Sequence, residues 1–264
     1  MDLGLSDKRV LVTGSTAGIG LATARMLAAE GASVTVNGRT QARVDNAVAE
    51  ILNELPHARV SGIAADLSHN EGCEALINLL PHTDVLVNNL GIFEPKSFGD
   101  ITDEDWLRFF ETNVLSGIRL SRHYVQSMRS RNWGRIVFVS SESALQIPAE
   151  MIHYGMTKTA QLAVARGLAE SLAGTGITVN SVLPGPTASE GVGAMVAEMA
   201  AGRGVDPKSI EQEFFATARP SSILQRFSTT QEIAAMIAYV CSERASATTG
   251  AALRVDGGVV RAIA

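Results

Sequence analysis

Sulfur chemistry is nearly absent from this 264-residue chain. Its two cysteines, Cys73 and Cys241, lie far apart and at no metal-ligand spacing, so neither a disulfide framework nor a cysteine-rich metal site is available. They read as free thiols of a reducing compartment. The five histidines, His57, His69, His82, His123 and His153, show no metal spacing either, and no metal is expected. His153, beside Tyr154, either lines a site or is an incidental loop histidine. No apolar run approaches the length of a bilayer span. The start, Met1-Asp2-Leu3-Gly4, has no basic region followed by an apolar one, so no signal peptide is expected and the protein should be soluble and cytoplasmic. An excess of positive charge is also missing: the net charge is −5, which argues against a nucleic-acid surface. The densest basic run, Arg119, Arg122, Arg129, Arg131 and Arg135, has the spacing of a solvated or subunit-facing helix face.

What is present is core-forming material. Hydrophobic residues make up 46 % and charged residues 19 %, a globular balance in a chain long enough for one large α/β domain or two small ones. No repeat, low-complexity segment or interdomain linker interrupts it.

Residues 9–13 form a short β-branched run, a buried strand. Gly14-Ser15-Thr16-Ala17-Gly18-Ile19-Gly20 follows, then an amphipathic helix to Glu30. Strand, glycine loop and helix are the context of a dinucleotide-binding turn, although a ligand-free glycine turn has the same look. In such a turn Gly14 permits the tight bend, Gly18 lets the backbone approach a pyrophosphate, and Gly20 lets the helix pack on the sheet. Residues 33–37 are a second strand, ending at Gly38-Arg39 with no acid. An acid there binds a ribose 2′-hydroxyl, whereas an arginine suits a 2′-phosphate, so NADP(H) is favoured with NAD(H) possible. Arg39 could equally be an exposed arginine opening a loop.

A helix over 41–55, a strand over 60–64 closed by Asp66-Leu67, a short helix over 72–80 and a strand over 84–88 ending in Asn88-Asn89-Leu90-Gly91 complete a βαβαβαβ order. Helices alternating with apolar strands predict a parallel sheet covered on both faces, with ligands beyond the carboxyl ends of its strands. Gly14, Arg39, Asp66 and Asn89 all fall at such ends. Thr102 and Asp105 cap a long helix from about Trp106 to Arg131, with Asn113 unexplained in its interior. Residues 134–139 are a fifth strand closed by Ser140-Ser141. A helix from Thr157 to about Leu172 and a strand over 177–183 follow, the latter left by Pro184-Gly185-Pro186-Thr187. Residues 188–227 look irregular and helical by turns, a mobile lid. Its Met195, Met199, Phe214 and Phe215 either meet a hydrophobic substrate or pack the lid on the body. A helix over 231–242 and a strand over 251–255 close the chain, making about seven strands.

Lysine is scarce, with only Lys8, Lys96, Lys158 and Lys208, and tyrosine scarcer, with Tyr124, Tyr154 and Tyr239. Tyr154 and Lys158, four apart, share a face if the backbone is helical. A cation beside a phenol favours phenolate and lowers the tyrosine pKa towards general acid–base work. Alone, the pair could as well be a surface tyrosine above a solvated lysine.

Taken together the chain resembles the single-domain short-chain dehydrogenase/reductase family over nearly its whole length. The matching residues are Thr13-Gly14-x-x-x-Gly18-Ile19-Gly20, Asp66, Asn88-Asn89-Leu90-Gly91, Asn113, Ser141, Tyr154-x-x-x-Lys158, Pro184-Gly185 and Val255-Asp256-Gly257-Gly258. Leu90 replaces the usual alanine, and Ser189 stands where a threonine commonly contacts the nicotinamide amide. The resemblance implies one doubly wound Rossmann-like domain over 1–264, hydride exchange between a nicotinamide and a carbonyl or alcohol, and a homodimer or homotetramer. It implies a catalytic set of Asn113, Ser141, Tyr154 and Lys158: Tyr154 as acid or base, Lys158 tuning it and holding the ribose, Ser141 on the carbonyl, Asn113 holding a water that links Lys158 to solvent. It places the cofactor on 14–20, Arg39, Asp66, Leu67, Asn89, Gly91, Tyr154, Lys158, Pro184, Gly185, Thr187 and Ser189. A dinucleotide-binding paralogue without catalysis would usually lack the tyrosine or the lysine, and both are kept.

Overall fold

The computed structural model describes residues 2–263. Seven strands form one all-parallel sheet in the order β3-β2-β1-β4-β5-β6-β7. They are β1 (Arg9–Val12), β2 (Ser33–Gly38), β3 (Arg59–Ala64), β4 (Val85–Asn88), β5 (Gly134–Val139), β6 (Ile177–Pro184) and β7 (Ala252–Val255). The order runs outward from β1 through β2 to β3, then returns to lay β4 on the other side of β1. That reversal opens a crevice between β1 and β4 at their carboxyl ends, where ligands of such sheets bind.

Alternation along the strands decides which helices cover which face. Val10, Val12, Val85, Val87, Val137 and Val139 join a core with Leu27 of α1 (Gly18–Ala29), Ile51 of α2 (Gln41–Glu54) and Ile233 and Ile237 of α9 (Thr230–Cys241). Leu11, Leu86, Ile136 and Phe138 point the other way. They pack with Leu76 of α3 (Asn70–Leu79), Leu120 and Tyr124 of α5 (Ser116–Arg131) and Ala165 of α6 (Ile152–Ser171). The central strands are therefore apolar on both faces, as expected of a parallel sheet. Each fully buried Leu or Phe contributes about 1.5–3 kcal/mol of apolar burial.

The amino ends of the strands are sealed by charge. Asp84 receives the Arg9 main-chain N–H at 2.8 Å and its guanidinium at 3.3 Å, with Arg131 at 3.1 Å. Burial works to raise the Asp84 carboxyl, but the hydrogen bonds and charge of Arg9 and the charge of Arg131 outweigh it and leave the pKa lowered. Arg59 joins Asp7 at 2.6 Å and the Gly31 carbonyl at 2.7 Å. Arg135, 1 % exposed, donates to the carbonyls of Ser242, Gly134 and Gly176 and lies 4.6 Å from the Trp133 ring. At the opposite ends, around the β1–β4 crevice, the loops carry glycine, serine and asparagine.

The helix expected over 106–131 is broken in an informative place. A capping box between Thr102 and Asp105 starts α4 (Asp103–Phe110), and α5 continues to Arg131. Between them Glu111–Leu115 is a π-helical turn with Asn113 at its centre. The stretch 188–227 is more regular than expected: α7 (Glu190–Arg203) and α8 (Pro207–Thr217) fill most of it. Phe214 and Phe215 stack on each other and on Phe227, and Phe215 is fully buried, so these two pack the segment on itself. Met195 and Met199 are exposed. Among the described residues no helix is long and apolar enough to cross a membrane.

Candidate functional site

The glycine loop is held open from three sides. Gly14 takes a left-handed φ of +58°, which a side chain would strain. Its N–H donates to Asn37 Oδ1 at 3.2 Å, while Asn37 Nδ2 donates to the carbonyls of Ile63 and Ala65. Asn89 Nδ2 donates to the carbonyls of Thr13 and Gly14, both at 2.9 Å. Thr13 Oγ1 accepts the N–H groups of Asn89 and Leu90. Ser15 turns inward, its Oγ donating to the Val12 carbonyl at 2.6 Å. At Gly20 a Cβ would sit 2.5 Å from the Gly14 carbonyl oxygen, so only glycine lets the loop fold back over the start of α1. That helix starts after Ala17, which offers no side-chain cap. Its first-turn N–H groups lie at the β1–β4 crevice with a positive dipole end and suit a diphosphate.

The rim of this cradle is set by three other strand ends. Arg39 is exposed just past β2. Asp66 lies past β3: burial works to raise its carboxyl, but hydrogen bonds from Ser68 and the charges of His69 and Arg39 leave it lowered. Leu67 is buried beneath. Past β6, Gly185 donates its N–H to the Val255 carbonyl, Thr187 Oγ1 folds back on the Gly185 carbonyl at 2.8 Å, and Ser189 caps α7. Ser189 closes on the glycine loop; a Cβ built on Gly18 would lie 3.4 Å from its own.

The second half of the site lies beyond β4 and β5. Helix α6 begins at Ile152, earlier than its sequence suggests, because the 3₁₀ turn Ala149–Met151 leads directly into it. Tyr154 and Lys158 are thus both helical, on one face, with Lys158 Nζ 5.5 Å from the Tyr154 ring centroid. Gly91 closes the space above the lysine; a Cβ there would lie 3.3 Å from Nζ. Ser141, immediately past β5, donates from Oγ to Glu142 Oε2 at 2.5 Å and accepts the Ser143 N–H at 3.1 Å.

Asn113 now has its reason. Its amide clamps the Ile92 backbone, accepting the N–H at 2.8 Å and donating to the carbonyl at 3.0 Å, and also donates to Thr157 Oγ1 at 3.0 Å. The π turn alters the backbone ladder, and the Asn113 main-chain carbonyl accepts Gln161 Nε2 at 2.6 Å. Gln161 Oε1 in turn lies 3.4 Å from Lys158 Nζ, which also donates to the Val139 carbonyl at 3.0 Å. A protein amide therefore joins Lys158 to Asn113.

The electrostatics differ from expectation. The phenol of Tyr154 is pushed above its ordinary range rather than below it. Burial is the largest cause, opposed by the neighbouring Ser141 hydroxyl, reinforced by the Glu142 carboxylate and opposed again by Arg219. Lys158 does not offset this, because it is itself buried and its own pKa falls to about 8. His153 does not line the site. It is fully buried against Phe109, at 4.1 Å between ring centroids, and Trp106, on the side of α4.

Four residues were missed from sequence: Asn37, Glu142, Gln161 and Arg219. The glutamine lay three positions past Lys158, on the same helical face, which was a usable signal. Glu142 adjoins Ser141 in sequence, but Arg219 comes from after α8, and no local pattern links them. Arg219 Nε meets Glu142 Oε1 at 3.2 Å and its Nη1 meets Glu150 at 3.3 Å.

Comparison with known proteins gives consistent relatives. A family model described as enoyl-(acyl carrier protein) reductase matches residues 14–260. The uncharacterized oxidoreductase YvaG of Bacillus subtilis (strain 168) is 45 % identical, over all of this chain and all of that protein. The 3-oxoacyl-[acyl-carrier-protein] reductase FabG of Aquifex aeolicus is 30 % identical, over 98 % of this chain and 100 % of that one. The crystal structure of L-sorbose reductase from Gluconobacter frateurii, complexed with NADPH and L-sorbose, superposes with a TM-score of 0.92 at 31 % identity, covering all of both chains.

Proposed function

The chain belongs to the short-chain dehydrogenase/reductase family, and from that premise we propose that it is an NADPH-dependent reductase of carbonyl compounds, working through Tyr154, Lys158, Ser141 and Asn113. The observation that carries the reading is convergence: Ser141 from the end of β5, Tyr154 and Lys158 from α6 and Asn113 from the π turn meet beside the β1–β4 crevice. We take residues 1–264 as one domain, with 188–227 as its lid, acting as a dimer or tetramer.

The residues present fit a nicotinamide dinucleotide. The uncapped start of α1, with Ser15, Thr16, Ala17, Gly18 and Ile19 around it, would hold the diphosphate. Arg39 would meet a ribose 2′-phosphate, and Asp66 and Leu67 the adenine side. Asn89, Gly91, Pro184, Gly185, Thr187 and Ser189 would enclose the nicotinamide end. When bound, the cofactor supplies the hydride.

The chain's own part is to orient the carbonyl and supply its proton. Tyr154 stays protonated at neutral pH, the form that donates to a carbonyl oxygen during reduction. Ser141 hydrogen-bonds that oxygen as charge develops on it. Lys158, held by the Val139 carbonyl and Gln161, keeps a donor for the ribose. The reading is tested by following NADPH oxidation with a panel of ketones and aldehydes. A protein that binds no NADPH, or reduces none of them, overturns it.

A further inference from the structure

The loop that separates Ser141 from Tyr154 is gripped at both ends by one side chain. Arg219 Nε meets Glu142 Oε1 at 3.2 Å, next in the chain to Ser141, and Nη1 meets Glu150 Oε1 at 3.3 Å, just before α6 and Tyr154. Between these two, Gln146 Nε2 donates to Ser221 Oγ at 3.3 Å. Residues 219–221 therefore contact the start, the middle and the end of the loop. The loop has little regular structure of its own: the 3₁₀ turns Glu142–Ala144 and Ala149–Met151 are joined through the irregular residues 145–148.

The grip is itself held from behind. Arg219 Nη1 also donates to the Ala218 carbonyl at 2.8 Å, which fixes the plane of the guanidinium. The Arg219 main-chain N–H donates to the Phe214 carbonyl at 3.0 Å, in the last turn of α8. Ser221 Oγ donates to the Val259 carbonyl at 2.7 Å, and the Leu224 N–H to the Gly257 carbonyl at 2.9 Å. The arginine thus stands on a segment tied to the turn that follows β7. Arg219 is 9 % exposed and Glu142 5 %, so salt screens this pair far less than a surface one. A guanidinium is a rigid fork that can meet two carboxylates in fixed directions, whereas an ammonium is a point charge on a flexible stem.

Glu142 passes the constraint to Ser141. Its Oε2 accepts the Ser141 hydroxyl at 2.5 Å while its Oε1 is held by Arg219. Because Arg219 keeps Oε1, the carboxylate retains a charged partner when the Ser141 hydroxyl turns to a substrate oxygen.

We propose that Arg219 is a positioning residue for the reduction, setting the Ser141 hydroxyl against the Tyr154 phenol by fixing both ends of the loop between them. The proposal rests on the reductase reading above. Arg219 acts through Glu142 and Glu150 and moves no proton itself.

The test compares Arg219→Ala and Arg219→Lys with wild type, using NADPH and the ketone or aldehyde of the panel that wild type reduces best. Misplacing a reacting group by about 1 Å can cost about 10²-fold, so kcat should fall by about ten- to a hundredfold in Arg219→Ala. Arg219→Lys keeps the charge, loses the fork and should recover only part of that loss, with NADPH affinity and melting temperature near wild type. Added to Ser141→Ala, Arg219→Ala should cost only a few-fold more, because the group it positions is already gone. Wild-type kcat in Arg219→Lys, an equal loss of kcat and NADPH affinity in that variant, or losses that multiply in full with Ser141→Ala overturns the proposal. Amide deuterium exchange needs no turnover and separates the two readings. Faster exchange at Ser143 and Gln146 in Arg219→Lys, with Val137 of β5 unchanged, supports the grip even if no carbonyl is reduced. Unchanged exchange across the loop overturns it even if carbonyls are reduced.

Discussion

Gln161 donates to the main-chain carbonyl of Asn113 at 2.6 Å, across the gap between α6 and the π turn. Its other end lies 3.4 Å from Lys158 Nζ, so one side-chain amide fixes the lysine against the turn. Replacing Gln161 by Glu puts a carboxylate beside the ammonium and should raise the lysine pKa by about 1–3 units. The alkaline limb of the kcat/KM profile should then move upward. Gln161→Leu keeps the volume, loses both contacts, and should weaken NADPH binding without that upward shift. Identical pH profiles for wild type and Gln161→Glu would show that the amide does not act on Lys158.

Tyr154→Phe preserves the ring beside Phe93 and removes the transferable proton. Turnover should fall by about 10²–10⁴-fold with NADPH affinity nearly unchanged. Because burial raises the wild-type phenol, alcohol oxidation should keep rising to a pH at or above the free-tyrosine value of about 10. An oxidation limb well below that would mean that substrate and cofactor reverse the burial effect. Wild-type turnover by Tyr154→Phe would remove Tyr154 from the chemistry altogether.

Lys158 is held for function at a cost in stability. Its folded pKa is depressed, to about 8 from 10.5. Such a group adds stability above its unfolded value and loses it as pH falls through the folded one. Below pH 8 the buried ammonium is therefore a burden of roughly 3 kcal/mol, at about 1.4 kcal/mol per pKa unit. Lys158→Met should melt higher than wild type at pH 7 and show a smaller stability gain between pH 8 and 10.5, while losing turnover. Thermal melts across that range decide it; a Met variant that melts lower at pH 7 contradicts the argument.

Arg39 is exposed and at the carboxyl end of β2, with no acid beside it in sequence. A charge-assisted contact to a 2′-phosphate should make NADPH bind tighter than NADH by about 1–3 kcal/mol. Arg39→Ala should remove most of that difference by lowering NADPH affinity alone. Equal affinities in wild type would sink the assignment.

The sheet and its helices were legible because each rests on local pattern, β-branched runs and glycine punctuation, and spacing alone put Tyr154 and Lys158 on one helical face; the grouping of Ser141 and Asn113 with them came only from the resemblance to the family. The start of α6 was not legible, since nothing in Ala149-Glu-Met151 marks a 3₁₀ turn that runs into an α-helix. The π turn was hidden too, because Asn113 signals only that a polar residue is misplaced, not that the ladder changes there. The phenol's raised pKa depended on burial, which no spacing of Tyr and Lys reveals. Glu142 and Arg219 are 77 positions apart and meet only once α8 has been laid down.

The charged seal at the amino ends of the strands makes the molecule a pair of tongs joined at its base. Arg9, Arg59, Arg131 and Arg135 tie neighbouring strands and the connections entering them, whereas at the β1–β4 crevice the carboxyl ends are joined by side-chain amides and loop backbone, with the Arg219–Glu142 pair set apart past β5. Sub-global opening should therefore begin where ligands enter, with the base as the hinge. Amide protons near Gly14, Ala65 and Gly185 should exchange with deuterium earlier than those of Val10, Val34 and Val85. A bound dinucleotide should slow the first group far more than the second.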